Sequence, residues 1–321
     1  MKKIVILFDK YEKQINGIKV YCENLASILN ETNEFSACSF DGFEQFPVKF
    51  FGKPIYKLES IEKYISDINP DYINVNGFMS LLPIQVIHIA RKKKIPVIYT
   101  PHMHPFYTLN RPILGKISFL FFLKPVLKYL DKIIVINNEE YTFFMKYNQK
   151  CYLIPHWINK PYLPQDKNTH KQNNLLFVGH NDPNKNLYFL YNLAKDRFII
   201  NCVSNQRPER EDFILHKNIS NEELEVLYDN AALVIVPSRY EAFSFVALEA
   251  LSHGTPVLIS DRVRIADHLG GVSGFVVFKY NDIADFQNKL EIALQSKVDI
   301  KKIANVFSKE KAINNYKKVF H

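Results

Sequence analysis

Short, continuous apolar runs separated by helix-length amphipathic stretches recur along this chain, and no other feature restricts its fold as strongly. Such runs occupy Ile4–Phe8, Phe35–Phe40, Val48–Phe51, Tyr72–Val75, Val97–Thr100, Ile133–Ile136 and Tyr152–Ile154. Helical patterns such as Ile18–Leu29, Leu81–Arg91 and Ile113–Leu130 lie between them. A strand that is apolar throughout must be covered on both faces, which implies a parallel sheet wrapped by helices. The pattern then restarts. Residues 155–170 hold three prolines and several polar residues, as an interdomain linker does. Beyond them the runs are Leu175–Val178, Phe198–Val203, Ile214–Leu215, Leu233–Val236, Val257–Ile259 and Phe275–Phe278. Helical patterns at Leu187–Ala194, Glu222–Tyr228, Phe245–Ser252 and Asp285–Leu294 separate several of these, and Lys301–His321 reads as a basic helical tail. The 321 residues suit two domains of roughly 150 residues each. The expected architecture is α/β, with two doubly wound Rossmann-like units at 1–157 and 158–305. Residues 306–321 are expected to form a helix crossing back to the first unit. Doubly wound sheets bind ligands at the carboxyl ends of their strands, so two units facing each other would line a shared cleft.

What is missing narrows the chemistry. There are only 10 glycines, and none forms G-x-G-x-x-G. The Gly270-Gly271-Val272-Ser273-Gly274 cluster precedes a strand instead of opening a helix after one, which disfavours a nicotinamide or flavin dehydrogenase. No Walker-type phosphate loop, G-x-S-x-G elbow or H-E-x-x-H pair is present. Cys22, Cys38, Cys151 and Cys202 are scattered, with no zinc spacing, and read as small buried groups in a reducing cytoplasm. Ile4–Phe8 is too short for a signal-peptide core, and Ile117–Leu123 is far short of a membrane span. A soluble or peripherally attached cytoplasmic protein is expected. The net charge of +8 resides largely in runs such as Arg91–Lys94 and Lys309–Lys318. These suit phosphorylated substrates, an anionic membrane or simply a solvated helix face. No aromatic–basic motif of a single-strand reader accompanies them, so no nucleic-acid partner is expected.

The informative segment is Val236-Pro237-Ser238-Arg239-Tyr240-Glu241-Ala242-Phe243-Ser244-Phe245-Val246-Ala247-Leu248-Glu249-Ala250. An apolar strand ends at Pro237-Ser238, a polar loop carries Glu241, and a helix starting near Ser244 carries Glu249. Gly254-Thr255-Pro256 then stops that helix. Free N–H groups and the partial positive charge at the helix amino end suit a diphosphate. Glu241 can accept hydrogen bonds from sugar hydroxyls, and Glu249 from a ribose behind the phosphates. A carboxylate among Val246, Ala247, Leu248, Ala250 and Leu251 needs such a reason to be there. The plainer reading is an N-terminal Glu on a helix whose second Glu is solvated.

This segment resembles the E-x(7)-E motif of retaining glycosyltransferases of family 4, which have the two-domain type-B glycosyltransferase fold. The resemblance covers nearly the whole chain and is strongest from Leu175 to Val277. Leu176-Phe177-Val178-Gly179 followed by Lys185 is similar to the strand–glycine–basic element that opens the family's second domain. It implies that Lys185 neutralises the donor diphosphate. Where the family commonly has Arg after that glycine, His180 stands here and supplies no fixed charge. Ser204 and Asn205 end the next strand, where the family carries a loop near the nucleotide. Lys217 replaces a common glycine, so base selection does not carry over. Gly17 stands where the family usually has two glycines lining the donor pocket. The resemblance thus implies Glu241, His102 and Lys185 as catalytic residues. It implies Gly17, Gly179, His180, Ser204, Asn205, Phe243, Ser244, Phe245 and Glu249 as donor-binding residues.

Read from the residues alone, His102 and His104 after the Val97–Thr100 run are a metal pair, a catalytic group or loop filler. No acidic partner or D-x-D element stands near them, so no metal site is expected. Ile113–Leu130 reads either as a membrane-facing helix meeting a lipid-linked acceptor or as a core helix with snorkelling lysines. The resemblance implies transfer with retention from a nucleotide diphosphate sugar, a UDP-sugar by preference, with no cofactor. A glycan or lipid-linked glycan is the implied acceptor, in bacterial surface polysaccharide or lipopolysaccharide synthesis at the inner face of the membrane. The rivals are a nucleotide-sugar 2-epimerase of the same fold and an inactive transferase-like binding subunit.

Overall fold

A computed structural model describes residues 1–10, 17–50, 52–78, 80–106, 112–159, 173–194 and 197–321. The chain divides into two compact units, Met1–His156 with Lys309–His321, and Trp157–Ser308. Most of the expected 155–170 linker lies outside the described residues.

The first unit carries strands β1 (Lys2–Leu7), β2 (Phe35–Phe40), β3 (Gln45–Phe50), β4 (Lys53–Tyr56), β5 (Tyr72–Asn76), β6 (Val97–Thr100), β7 (Lys132–Val135) and β8 (Cys151–Leu153). Its helices are α1 (Gly17–Asn30), α2 (Leu58–Ile68), α3 (Leu82–Lys93), α4 (Pro112–Ile117), α5 (Lys124–Leu127) and α6 (Asn138–Phe144). Six strands form one sheet in the order β2-β1-β5-β6-β7-β8, and every pairing is parallel. Val5, Leu7, Val75, Tyr99 and Val135 lie in one core with α3 residues such as Val86 and Ile87. This is why the strands read as unbroken apolar runs.

The second unit holds β9 (Asn174–Val178), β10 (Ile199–Val203), β11 (Phe213–His216), β12 (Leu233–Val236), β13 (Val257–Ser260) and β14 (Phe275–Phe278). Its α-helices are α7 (Asn221–Asn230), α8 (Phe245–Ser252), α9 (Ile283–Leu294) and α10 (Ile300–Val306). The parallel sheet runs β11-β10-β9-β12-β13-β14. Its order reverses direction between β9 and β12, and that switch point opens a crevice at the carboxyl ends of both strands. Helix α11 (Lys309–Phe320) returns to the first unit, where Tyr316 and Phe320 are fully buried. The Rossmann-like α/β class expected for both units is the observed one.

Four expectations are corrected in detail. The Val48–Phe51 strand is instead the end of β3, which pairs antiparallel with β4 apart from the main sheet. Ile113–Leu130 is not one α-helix: a π-helical segment at Ser118–Leu123 joins α4 to α5. The Leu187–Ala194 pattern forms a 3-10 helix over Leu187–Asn192, begun by Asn186 in the left-handed region. The tail is two helices, α10 and α11, separated near Phe307.

Candidate donor site at the switch point of the second sheet

The loop after β9 and the loop after β12 are stitched together. Asp182 Oδ1 accepts from the N–H groups of Asn184 (2.8 Å) and Lys185 (3.0 Å), folding the first loop into a tight turn. Asn184 then accepts from the second loop twice, from Arg239 N at its carbonyl (2.7 Å) and from Tyr240 N at Oδ1 (3.1 Å). Asn186 Nδ2 donates to the Pro237 carbonyl (3.1 Å). This register brings Lys185 Nζ to 2.8 Å from Glu241 Oε1. Gly179 allows it: a Cβ there would sit 3.2 Å from Lys185 Cγ, so the lysine stem lies across the bare glycine.

Glu241 is pinned from both sides. Its N–H donates to the Arg262 carbonyl and its carbonyl accepts from Arg264 N. Ser238 Oγ donates to Oε1 at 2.6 Å, beside the lysine. Both partners engage Oε1, which leaves Oε2 for an incoming hydroxyl. The two side chains are 25% and 11% exposed, so water screens the pair weakly. Burial alone would lower the Lys185 pKa, but the charge and hydrogen bond of Glu241, with Asp182 behind, raise it above the ordinary value. The lysine therefore stays cationic at any working pH.

Ser244 caps α8 by accepting from Ala247 N (3.3 Å). Glu249 lies on the otherwise apolar α8, and Tyr228 of α7 donates its hydroxyl to Oε2 at 2.8 Å. Glu249 reaches solvent yet is ringed by protein. That crowding raises its pKa above the usual carboxylate value, the Tyr228 hydrogen bond opposes the rise, and Glu225 adds to it.

In the first unit, Gly17 opens α1 and is exposed. His102 follows β6 with φ of 60°, in the left-handed region that few non-glycine residues adopt. Its Nε2 lies 2.9 Å from Asn76 Oδ1, and the Tyr21 ring meets it edge-on at 4.6 Å. Packing around the imidazole pushes its pKa down to about 3. His104 is buried against Phe143 and Phe106. Among the described residues, no group of three or more His, Cys, Asp or Glu is placed to hold a metal ion.

Residues 163–315 match the family model described as glycosyl transferases group 1. The chain is 26% identical over 312 residues to an uncharacterized glycosyltransferase, MJ1178, of Methanocaldococcus jannaschii, covering 88% of this chain and 84% of that one. It is 29% identical over 181 residues to the O-antigen chain mannosyltransferase RfbU of Salmonella typhimurium, covering half of each. Among solved structures, Anabaena HepE in complex with UDP and glucose superposes with a TM-score of 0.74 at 13% identity, covering 99% of both chains. These findings support a group 1 glycosyltransferase. Its fold is the type-B glycosyltransferase fold of two Rossmann-like domains.

Within the second unit, the structure joins Gly179, Lys185 and Glu241 directly. Asn205 is drawn in through Asn181, whose N–H donates to Asn205 Oδ1 (3.0 Å), with buried Ser204 beside it. His180 projects to solvent. The Phe243 ring is buried against Phe245, His268 and Phe307, so this stretch offers an anion its main-chain N–H groups and not that ring. Gly17 and His102 belong to the other unit. Sequence reasoning missed Ser238, Tyr228, Asp182, Asn184 and Asn76, all of which hold a named site residue in place. Asn76 alone left a signal: Asn74 and Asn76 interrupt one face of a buried strand at period two.

Proposed function

We propose that this chain is a retaining glycosyltransferase of family 4. It moves a hexosyl group from a nucleoside diphosphate sugar, a UDP-sugar by preference, to a glycan or lipid-linked glycan acceptor, without a metal ion or other cofactor. The observation that carries this reading is the 2.8 Å Lys185–Glu241 pair at the switch point of the second sheet. A lysine held cationic there, beside the amino end of α8, meets the charge that develops on a departing diphosphate. Glu241, its Oε1 already engaged, accepts sugar hydroxyls through Oε2, and Glu249 accepts from the ribose. By the resemblance, His102 is assigned a role toward the transferred sugar. No covalent role is assigned to Glu241, whose Oε1 is held by Lys185 and Ser238.

HepE, solved with UDP and glucose, supports the donor class, and the O-antigen chain mannosyltransferase supports a place in surface polysaccharide synthesis. The enzyme then works at the cytoplasmic face of the membrane. Among the described residues no helix is long and apolar enough to cross a membrane. A peripheral contact is favoured by the segment from α4 to α5. Ile113 and Phe121 are 72% and 71% exposed, and Ile117 and Leu120 are also exposed. Lys116, Lys124 and Lys128 accompany them, with no acidic residue from 112 to 130. That combination suits an anionic lipid surface.

The test is a thermal-shift panel in EDTA with UDP, GDP, ADP and CMP and their sugar conjugates. Saturation at about 100 times Kd adds roughly 2.7 kcal/mol. One nucleoside diphosphate is expected to raise the melting temperature of the wild type and to leave Lys185→Ala and Glu249→Ala unshifted. Retention is then read from the anomeric coupling of the product by NMR. Absence of a shift with every nucleotide would sink the reading.

A further inference from the structure

Buried polar side chains inside a parallel sheet are expensive unless each is satisfied, so an orderly row of them has a purpose. Asn74, Asn76 and Thr100 are fully buried on one face of β5 and β6, behind His102. The direction of every hydrogen bond in this row can be deduced from main-chain carbonyls, which only accept. Asn74 Nδ2 lies 3.3 Å from the Ile98 carbonyl and 3.0 Å from Thr100 Oγ1, so the amide nitrogen faces that way and Oδ1 faces Asn76. Asn76 Nδ2 lies 2.8 Å from that Oδ1 and 3.3 Å from each of the Leu7 and Asn74 carbonyls. Turning the Asn76 amide over would set an oxygen against three oxygens. Asn76 Oδ1 is therefore fixed toward His102 Nε2, 2.9 Å away. An oxygen that can only accept requires a ring nitrogen that donates.

We propose that Asn74 and Asn76 lock His102 in the tautomer that carries its proton on Nε2, leaving Nδ1 as a hydrogen-bond acceptor for a ligand hydroxyl. The identity of that ligand rests on the function proposed above; the lock itself does not. Neighbours reinforce it. The Tyr21 ring meets the imidazole edge-on at 74°, and the His156 ring lies nearly parallel at 6.3 Å between centroids. Tyr21 is in turn held by Tyr316 through a 2.8 Å hydroxyl pair. Asn76 and Tyr21 present no formal charge that would draw a second proton onto the ring, and burial disfavours the imidazolium. The left-handed backbone at His102 holds the ring in place. A neutral acceptor neither neutralises the diphosphate nor donates a proton from Nδ1. Asn74 and Asn76 are positioning residues, acting through His102.

The test is a two-bond proton–nitrogen correlation spectrum of the full chain labelled with nitrogen-15 histidine, with His102→Gln to assign the ring. The expected spectrum shows His102 with Nε2 protonated and Nδ1 bare, unchanged from about pH 5 to about pH 8, below and above the ordinary histidine pKa. A proton on Nδ1, or titration within that range, overturns the proposal. In Asn76→Leu, which removes the acceptor but keeps the branched skeleton, both tautomers are expected to appear. The donor kcat should fall about tenfold, the share of one hydrogen bond of about 1.4 kcal/mol, with KM little changed. A folded Asn76→Leu chain that keeps Nε2 wholly protonated also overturns it. The wild-type spectrum decides the tautomer whether or not that variant folds. An inactive wild type with a locked ring would reject the function and keep the lock, and an active one with Nδ1 protonated would do the reverse.

Discussion

Tyr228 and Glu249 show how one hydroxyl orients a carboxylate proposed to bind the donor. The 2.8 Å bond occupies Oε2 and aims the group, leaving Oε1 for the proposed ribose. A hydrogen bond to a charged group contributes about 1.5–3 kcal/mol. Tyr228→Phe keeps the ring that packs on His253 and is expected to raise the Kd for UDP about tenfold by titration calorimetry; an unchanged Kd would show that Glu249 needs no aiming. Glu140 poses the opposite problem. It is fully buried at the start of α6, its Oε2 accepts from Ile136 N, Oε1 has no hydrogen-bond partner among the described residues, and burial pushes its pKa up to about 8. Unfolded, it ionises near its ordinary 4.5. Between those values the folded chain holds a proton that the unfolded chain has released, so stability falls as pH rises through this window. One such group costs about 3 kcal/mol from about pH 5 to about pH 7.5. Glu140→Gln should remove that slope in urea unfolding at the two pH values, and an equal slope in both chains would refute the assignment. Of the proposed site residues, Glu249 stood out as a carboxylate on an otherwise apolar helix, and Glu241 by its place in the loop before that helix. Lys185 was legible only through resemblance, since its turn looks like any surface turn. Tyr228 and Ser238 were not legible, because a hydroxyl's partner is set by tertiary register and leaves no periodic trace.

At the scale of elements, what could be read was what is buried on both faces. The twelve parallel strands among the described residues betray themselves by apolar runs, whereas β3 shows only its end: four consecutive exposed residues, Pro47 and Lys49 among them, lie between half-exposed Gln45 and Phe50. The π-helical segment was hidden for another reason. Ser118–Leu123 is uniformly apolar apart from Ser118, so periodicity gives no warning, yet Pro125 cannot donate to a carbonyl one turn back. The ladder widens before it, and Lys124 N bonds to the Phe119 carbonyl, five residues earlier. Widening buries Phe119 and Leu123 while turning Leu120 and Phe121 outward. The exposed apolar side of this segment locates a prediction. The double variant Ile113→Ser, Phe121→Ser should lose co-sedimentation with phosphatidylglycerol vesicles and keep its melting temperature, because both side chains are about seven-tenths exposed. Binding unchanged by the substitutions would assign this surface to something other than lipid.

For the molecule as a whole, chain order and structural order differ, and the difference can be measured. The first unit is completed only by the last residues of the chain. Tyr316 is fully buried and bonded to Tyr21, Phe320 packs edge-on against Phe35 and Tyr72, and Lys2 Nζ donates to the Phe320 carbonyl. Lys309 and Lys317 pair with Glu31 and Glu34 around them. Those surface pairs contribute little, so the aromatic burial carries the attachment. Removing a buried aromatic side chain costs about 3–5 kcal/mol. The proposed donor residues Lys185, Glu241 and Glu249 all belong to the second unit, which has its own core. Two perturbations should therefore act on different parts of one chain in hydrogen exchange. Tyr316→Ala is expected to speed the slowest amides of β1, β2 and β5 at least a hundredfold, a loss of about 2.7 kcal/mol or more. UDP at about 100 times Kd is expected to slow the amides of β9, β12 and α8 by about the same factor. If Tyr316→Ala left β1 untouched, α11 would be an appendage and not part of the first unit's core. If UDP protected β1 as strongly as β9, donor binding would belong to the whole chain and Lys185 and Glu241 alone could not account for it.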